Sequence, residues 1–309
     1  MFKIHKTKIR VNQALNQADE KFVKKFSLDQ SEVDSVKSLF FTLVWKINKK
    51  FTLLVLVLNI ITLIIIILLP DVGGFLFFLL LIWNFIYTGL MLSSAQRYFF
   101  RFFASANNLT FEPIGNLDSV AGRLFEIGRR HSGQIVNVMS GHYLNWPIRI
   151  FVFQSLVKSN NNKSSRKYNY TVLEITFEKT TFPHILLRTK NFSLFIDKNL
   201  QSLRKQEDQV FNLNNSNFEL TADRGYHVEV MQIFTPEVLD FLNNQAREFN
   251  IEFCDNKLNI FENKIIDSQK DLIHLYEIAK KLLDSAGPLL DRLHDDFEVL
   301  HPYYKKKEN

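Results

Sequence analysis

The chain has 309 residues with a formal net charge of +6 at pH 7, and 46% of its residues are hydrophobic. That length holds one large domain or two small ones, whose core needs neither disulfides nor structural metals. The single cysteine, Cys254, excludes a disulfide framework and a Cys-rich zinc site. Because the basic residues cluster beside two apolar runs, we interpret the charge as a membrane-topology signal rather than a nucleic-acid footprint.

Residues 1–50 are predicted to form a basic arm and an amphipathic helix. Residues 1–30 are polar and basic, and anionic lipid headgroups would attract them. Apolar residues then recur every three or four positions, which is typical of an amphipathic helix. They are Val33, Val36, Phe40, Leu43, Val44 and Ile47. Ser31 and Asp34 have capping-box spacing, so the helix is expected to begin near Ser31. We expect it to lie in the inner membrane interface, with packing against the cytoplasmic domain as the alternative.

Two apolar runs predict a transmembrane hairpin within residues 51–104. Residues 51–69 carry no charge and, as a helix with a rise of about 1.5 Å per residue, cover roughly the 30 Å hydrocarbon core. A turn is expected over residues 70–74, because Pro70 stops a helix and Gly73 and Gly74 allow the reversal. Residues 75–92 form the second predicted span, and a juxtamembrane extension follows. So short a turn makes the two spans antiparallel neighbours.

Basic residues flank the predicted hairpin at one end. Eleven Lys and Arg residues precede the first span, among them Lys49 and Lys50, the turn has none, and Arg97 and Arg101 follow the second span. By the positive-inside rule we expect a cell-membrane protein with two spans and both termini in the cytoplasm. With Trp45, these four basic residues are the predicted membrane-interface residues. Aromatic residues around Arg97 could also stack nucleic-acid bases, but the position beside a span favours the lipid bilayer as partner.

Each predicted span carries one asparagine near its middle. Folding the hairpin about Val72 places Asn59 and Asn84 at almost the same depth. A hydrogen-bonded pair inside lipid contributes about 0.6 to 2 kcal/mol and would set the rotation of one helix against the other. Alternatively, each amide bonds its own helix or contacts a partner subunit.

Residues 105–309 are predicted to form a β-rich cytoplasmic domain, which makes the fold class α+β. Asn107 and Asn108 mark its boundary, and short alternating apolar runs follow. The predicted strands are residues 134–138, 147–157, 168–179, 184–188, 192–196, 217–221, 251–253 and 258–261. Polar residues 158–167 predict a hairpin tip, so the sheet is expected to be mainly antiparallel. After the tip the apolar positions change parity, which indicates either a bulge or two buried faces.

Helices are predicted within and after the strands. Thr235 as N-cap and Pro236 as first residue predict a helix that presents an apolar face to the core. That face comprises Val238, Phe241 and Leu242. Residues 267–285 predict a second helix that Gly287 and Pro288 end, and residues 289–300 predict a shorter third one.

The sequence has no signature of a common enzyme. It contains no phosphate-binding glycine loop, no GxSxG elbow, no HExxH and no kinase signature, so no cofactor and no catalytic residue are predicted. Asp291, His294 and Asp295 share one helix face and could offer three ligands to a divalent metal. Solvated helix faces often carry such triplets, and no fourth ligand is evident. The metal-site prediction is therefore weak, and the chain is more easily interpreted as a non-enzyme.

Three polar residues lie within apolar predicted strands. Glu174, His184 and Glu219 could converge in a pocket, or they could lie on the wet face of a half-exposed sheet. The wet face is the favoured interpretation.

Several short motifs resemble a group of uncharacterised bacterial membrane proteins. The motifs are Phe125-Glu126-Ile127-Gly128, Val138-Met139-Ser140-Gly141, Tyr170-Thr171-Val172-Leu173-Glu174, Phe182-Pro183-His184, Phe218-Glu219-Leu220 and Thr235-Pro236-Glu237-Val238-Leu239. Members of that group have two N-terminal spans followed by a β-rich cytosolic domain. The resemblance covers about residues 111–285, and the polar, Asn-rich hairpin tip departs from it. It implies a location in a bacterial cell membrane and carries over no activity or site residue.

The favoured function is a membrane-tethered interaction or regulatory module that binds a protein partner. A lipid-headgroup-binding module is an alternative, indicated by the basic arm and by Arg97, Arg101, Arg129 and Arg130. An enzyme that acts on a membrane or envelope substrate is a third, and a homo-oligomeric pore is a fourth.

Overall fold

The computed structural model describes residues 34–68, 70–130, 132–143, 146–158, 165–177, 181–190, 208–211, 213 and 217–300. Contacts between residues divide the chain into two compact units. The helical unit contains the chain up to Phe111 together with Asp267–Gln269, and the sheet unit contains Glu112–Ile266 and the chain from Lys270 onward.

The first helix, α1 (Val36–Thr42), begins later than predicted. The Ser35 side chain caps it by accepting a hydrogen bond from the Ser38 backbone N–H at 3.1 Å. The capping box at Asp34 is wrong, because Asp34 precedes the helix and its carbonyl accepts from the backbone N–H of Gln269 at 2.9 Å. This pairing holds the backbone before α1 extended; Ser31 lies outside the described residues.

Two long apolar helices follow a π-helical turn at Leu43–Ile47. They are α2 (Lys49–Leu68) and α3 (Pro70–Ala106), and both are long and apolar enough to cross a membrane. The predicted turn over residues 70–74 is wrong, because the helix already begins at Pro70. A proline suits the first helical position, where its missing N–H has no intrahelical partner. The predicted second span and its extension are therefore one helix of 37 residues.

The apolar face of α1 packs against α3 rather than lying free. Leu39 is fully buried, as are Phe99 and Phe100 on the later part of α3. The opposite side of α1 exposes Phe41, and Trp45 in the following π-helical turn is also exposed. Neither sequence-based alternative named α3 as the surface that receives this helix.

The described residues form a nine-stranded sheet in the order β1-β2-β3-β4-β9-β8-β5-β7-β6. The strands are β1 (Thr110–Gly115), β2 (Ser132–Tyr143), β3 (Trp146–Lys158), β4 (Ser165–Thr176), β5 (Phe182–Thr189), β6 (Asp208–Phe211), β7 (Phe218–Asp223), β8 (Phe249–Asp255) and β9 (Lys257–Glu262). The pairings described from β2 onward are antiparallel, which confirms the predicted α+β class. Strands β1 and β6 were not predicted, and the predicted strand at residues 192–196 lies outside the described residues.

The change of apolar parity on β4 is explained by burial of both faces. Tyr170 and Val172 are buried on one face, and Leu173 and Ile175 are buried on the other. The register between β3 and β4 runs without a shift, so β4 has no bulge against this neighbour.

Each face of the sheet is covered by helices. On the first face α4 (Arg123–Arg130) inserts Phe125, whose ring lies 5.8 Å from Phe151 and 5.3 Å from Phe153. On the second face lie α5 (His227–Ile233), α6 (Pro236–Gln245) and α7 (Gln269–Leu300). Ring contacts of Phe234 with Phe253 and of His274 with Phe249 join these helices to that face.

Helix α6 confirms its predicted start, because the Thr235 side chain accepts from the Val238 backbone N–H at 3.4 Å. Val238 and Leu242 are buried as expected, whereas Phe241 is half-buried.

Helix α7 contradicts the predicted break. It continues through Gly287 and Pro288 to Leu300 as one helix of 32 residues. A proline removes one intrahelical hydrogen bond and can kink a helix, but the bonds on either side of it are sufficient to continue the helix here.

Candidate functional site

Polar side chains join α2 to α3 along their shared seam. Asn59 and Asn84 exchange two hydrogen bonds, each 3.0 Å long, and Asn84 also donates to the Leu80 carbonyl of its own helix at 2.9 Å. Nearer the start of α2, the hydroxyls of Thr52 and Tyr87 lie 2.8 Å apart. The structure thus brings the two predicted asparagines together and adds a second polar contact.

The outer surface of the same two helices is an apolar belt over residues 51–68 and 75–92. Large apolar side chains are exposed through both stretches. Each stretch is about 27 Å long at a helical rise of about 1.5 Å per residue, close to the thickness of a hydrocarbon core. The Asn59–Asn84 pair lies about 12 Å from the end of the belt at Phe51 and Leu92, near its middle.

The predicted interface residues lie beside that end of the belt. Trp45 is 54% exposed, and Lys49, Lys50 and Arg97 are exposed, whereas Arg101 is half-buried. These positions suit a boundary between lipid and water, where long basic side chains extend toward the headgroups.

The three residues proposed for a pocket have separate partners. Glu174 forms salt bridges with Arg149 at 2.5 Å and Lys257 at 3.1 Å. His184 contacts Glu252 at 2.7 Å, and Glu219 contacts Arg188 at 2.6 Å. The favoured wet-face interpretation does not hold for Glu174, whose side chain is 1% exposed.

Four polar residues form a line across the first face of the sheet, which we call the polar row. Arg149 lies opposite Glu174, Glu174 opposite Asn259, and Asn259 opposite Glu252, on the adjacent strands β3, β4, β9 and β8. Lys257 and His184 lie beside the row and bond its carboxylates.

Four residues of this site were not predicted from the sequence: Arg149, Lys257, Asn259 and Glu252. Glu174 was singled out because it is a polar residue within an apolar predicted strand. The same pattern was present at Glu252, a charged residue between the apolar Ile251 and Phe253 of a predicted strand.

Residues 117–123, which we call the strap, lie over the polar row between β1 and α4. The Ser119 carbonyl accepts from Arg149 Nη2 at 2.9 Å and from Lys257 Nζ at 2.6 Å. The Ser119 Oγ atom contacts Arg149 Nη1 at 2.8 Å. Because Glu174 holds both basic groups, it positions them for the strap.

The later half of the strap contacts the other half of the row. The Ala121 carbonyl accepts from Asn259 Nδ2 at 2.9 Å, and the backbone N–H of Arg123 donates to Glu252 Oε1 at 2.7 Å. Gly122 has a φ of +134°, and a Cβ there would lie 2.5 Å from Glu252 Oε2. The conformation and the close approach therefore both require glycine.

Burial changes the acid–base properties of two groups near these strands. Burial raises the pKa of the Cys254 thiol, and the carboxylates of Glu252 and Asp255 raise it further, which opposes a nucleophilic thiolate. Burial also raises the pKa of Glu262, although Lys264 lies 2.8 Å away and opposes the shift.

The described residues contain no group of three or more His, Cys, Asp and Glu side chains that could hold a metal. The weak candidates Asp291, His294 and Asp295 lie on α7, where the side chains are outside the described part of the structure.

No protein-family model matches the chain, and no curated protein matches it in sequence. Among solved structures, the crystal structure of the mycobacterial trehalose monomycolate transport factor A, TtfA, matches with a TM-score of 0.45 and 10% identity. The match covers 63% of this chain and 94% of that chain. At this TM-score the likeness supports no conclusion about function.

Proposed function

We propose that this chain is a membrane-anchored interaction module, in which α2 and α3 form a two-span anchor and the sheet unit binds a protein partner. The observation that carries the proposal is the apolar belt of the hairpin. Its exposed surface is apolar, and its polar groups, such as Asn59 and Asn84, bond each other across the seam. This distribution suits a lipid solvent, which offers no hydrogen bonds to an exposed amide.

The proposed orientation places both termini in the cytoplasm. Exposed Lys49, Lys50 and Arg97 lie beside one end of the belt, and the region around Pro70 at the other end has no basic residue. The positive-inside rule assigns the basic end to the cytoplasm. The resemblance in sequence motifs supports a bacterial cell membrane.

Binding rather than catalysis is supported by how the buried polar groups are used. The carboxylates of Glu174 and Glu252 are buried and hold Arg149, Lys257 and the strap backbone. A catalytic carboxylate needs access to a substrate, whereas these two contact the protein itself.

The anchor is tested by cysteine labelling in intact cells, in a Cys254→Ser background. Cysteines placed at Val72 and at Lys50 are treated with a membrane-impermeant maleimide. We expect labelling at position 72 in intact cells and at position 50 only after lysis. Labelling at position 50 in intact cells contradicts the orientation, and release of the chain by alkaline carbonate contradicts the anchor.

The interaction role is tested by photocrosslinking in cells from positions on the exposed surface of the sheet unit. We expect one recurrent protein adduct from positions on the sheet unit and none from control positions in the hairpin of the same full chain. A full chain that stays monomeric and gives no adduct contradicts the role.

A second candidate function is binding of anionic lipid headgroups, favoured by the exposed Lys46, Lys49 and Lys50 beside one end of the belt. In nanodiscs, binding of added phosphatidylserine should weaken as salt rises through the range in which the Debye length falls from about 10 to 3 Å. Replacement of the three lysines by glutamine should remove the salt dependence, and a response unchanged by these substitutions rules the idea out.

A further inference from the structure

The polar row recognises little of the strap's own sequence. Its contacts reach the carbonyls of Ser119 and Ala121 and the backbone N–H of Arg123, groups that every peptide of suitable shape offers. Two features depend on side chains. The Ser119 hydroxyl contacts Arg149, and Gly122 leaves space beside Glu252. The contacts of the row therefore fit a segment with the pattern Ser-x-x-Gly.

The strap does not satisfy the row completely. Glu252 Oε2, Asn259 Oδ1 and His184 Nδ1 are buried and have no hydrogen-bond partner among the described residues. The Glu252 and Asn259 side chains are fully buried. The Glu252 and Asn259 oxygens are acceptors. Two unused buried acceptors cost free energy, so a segment that donates N–H groups to them would bind the row better than the strap does.

The strap is attached to the protein beside the row, as an internal ligand would be. It is held by Val120, and by Leu124 in the first turn of α4, whose side chains are buried in the core. This attachment gives the strap a high effective concentration at the row, so the strap stays in place until a competitor binds.

We propose that the polar row is a peptide-binding site that the strap occupies from within the same chain. A Ser-x-x-Gly segment of a protein partner replaces the strap, with its glycine over Glu252 and its serine at Arg149. The inference deepens the proposed function, because an interaction module needs a docking site, and it names the chemistry of the partner.

The test uses the full chain in detergent micelles and a fluorescent peptide with the sequence of residues 116–125. In the Gly122→Ala variant, the added Cβ meets Glu252 and loosens the strap. We expect this variant to bind the peptide at least about tenfold more tightly than the wild type, because the competing internal ligand is weakened. The control is Gly225→Ala, which also has a positive φ, of 94°, but has open space around it. This control should bind like the wild type.

Two further arms test the row itself. A peptide with alanine in place of its glycine should lose binding to the Gly122→Ala variant, and so should the double variant that adds Glu252→Gln. If the Gly122→Ala variant is folded by circular dichroism yet binds no better than the wild type, the proposal is overturned. Equal binding of the alanine peptide also overturns it.

Hydrogen exchange on the wild type keeps the proposal testable if the Gly122→Ala variant does not fold. The strap amides, including that of Arg123, should exchange at least about tenfold faster than the amides of β3, because an internal ligand opens locally. Equal rates in the strap and β3 would mean that the strap opens only with the whole sheet, which overturns the proposal. Neither the peptide binding nor the hydrogen exchange depends on orientation in a membrane. A negative result in either measurement therefore does not affect the cysteine-labelling test of the anchor.

Discussion

Both units contain polar side chains that bond one another among apolar residues, but the hydrogen bonds are arranged in different ways. In the helical unit Asn59 and Asn84 bond each other directly, and each supplies a donor and an acceptor. In the sheet unit the row from Arg149 to Glu252 bonds the backbone of the strap, and among the described residues two of its buried acceptors, Glu252 Oε2 and Asn259 Oδ1, have no partner. A reciprocal pair sets the orientation of two helices, whereas a row of this kind holds a segment of chain that another segment could replace.

The largest expected effect breaks the contact between strap and row. Gly122→Ala should lower the free energy of opening the strap by about 3 kcal/mol, because it adds a clash to a backbone strain. Hydrogen exchange at the Arg123 amide measures the change. Gly225→Ala, at a positive φ without a clash and outside the strap, should lower the free energy of unfolding by about 1 kcal/mol and leave the opening of the strap unchanged. Equal opening of the strap in the two variants would show that the approach to Glu252 contributes nothing.

Glu174→Gln should have the next largest effect. It removes the carboxylate that holds Arg149 and Lys257, and these side chains are 27% and 14% exposed, so water compensates them in part. We expect a loss of about 2 kcal/mol in the free energy of unfolding of the sheet unit, measured by urea denaturation. The control Glu219→Gln breaks a pair whose carboxylate is 27% exposed and should cost less than about 1 kcal/mol. If Glu219→Gln lowered the free energy of unfolding as much as Glu174→Gln, burial of the Glu174 carboxylate would not explain the size of its effect.

The asparagine pair should have a smaller effect. In a double-mutant cycle of Asn59→Leu and Asn84→Leu, the coupling energy should be about 1 kcal/mol, which is typical of polar pairs between helices in lipid. Unfolding of the full chain in mixed micelles with increasing SDS gives the four stabilities. Thr62→Val is the control, because the Thr62 hydroxyl bonds the Leu58 carbonyl of its own helix at 2.8 Å. A coupling energy of zero would remove the pair as an orienting contact.

The smallest expected effect is a gain in stability. Burial raises the pKa of Glu262 in the folded state, so the folded state prefers the protonated form and loses stability as pH rises above the unfolded value. Glu262→Gln cannot ionise and should be more stable than the wild type at pH 7, by less than about 1 kcal/mol because the nearby Lys264 ammonium offsets part of the cost of burying the carboxylate. The gain should vanish at about pH 3.3, one unit below the unfolded pKa of about 4.3, because the carboxyl is then protonated in both states. Glu112→Gln, at an exposed position, is the control. If the gain in stability of Glu262→Gln did not depend on pH, the raised pKa of Glu262 would not be its cause.

Local features were predictable because they depend on neighbouring residues alone. The two apolar helices follow from runs of side chains whose preference for lipid needs no other part of the fold. The start of α6 follows from Thr235 and Pro236, which act on the adjacent turn. The β3–β4 hairpin was predictable for the same reason, since a polar tip joins strands that are consecutive in the chain.

The sequence by itself determined the two long apolar helices, the antiparallel class of the sheet and the polarity of each segment, because side-chain periodicity and solvent preference are local properties. Only the tertiary structure decided the polar row and its strap. Arg123 and Glu252 are 129 positions apart, and their contact depends on the order and register of the strands between them. The structure also decided that α7 continues through Pro288, where the sequence predicts that the helix ends. Contacts between distant residues need a register that no short segment contains.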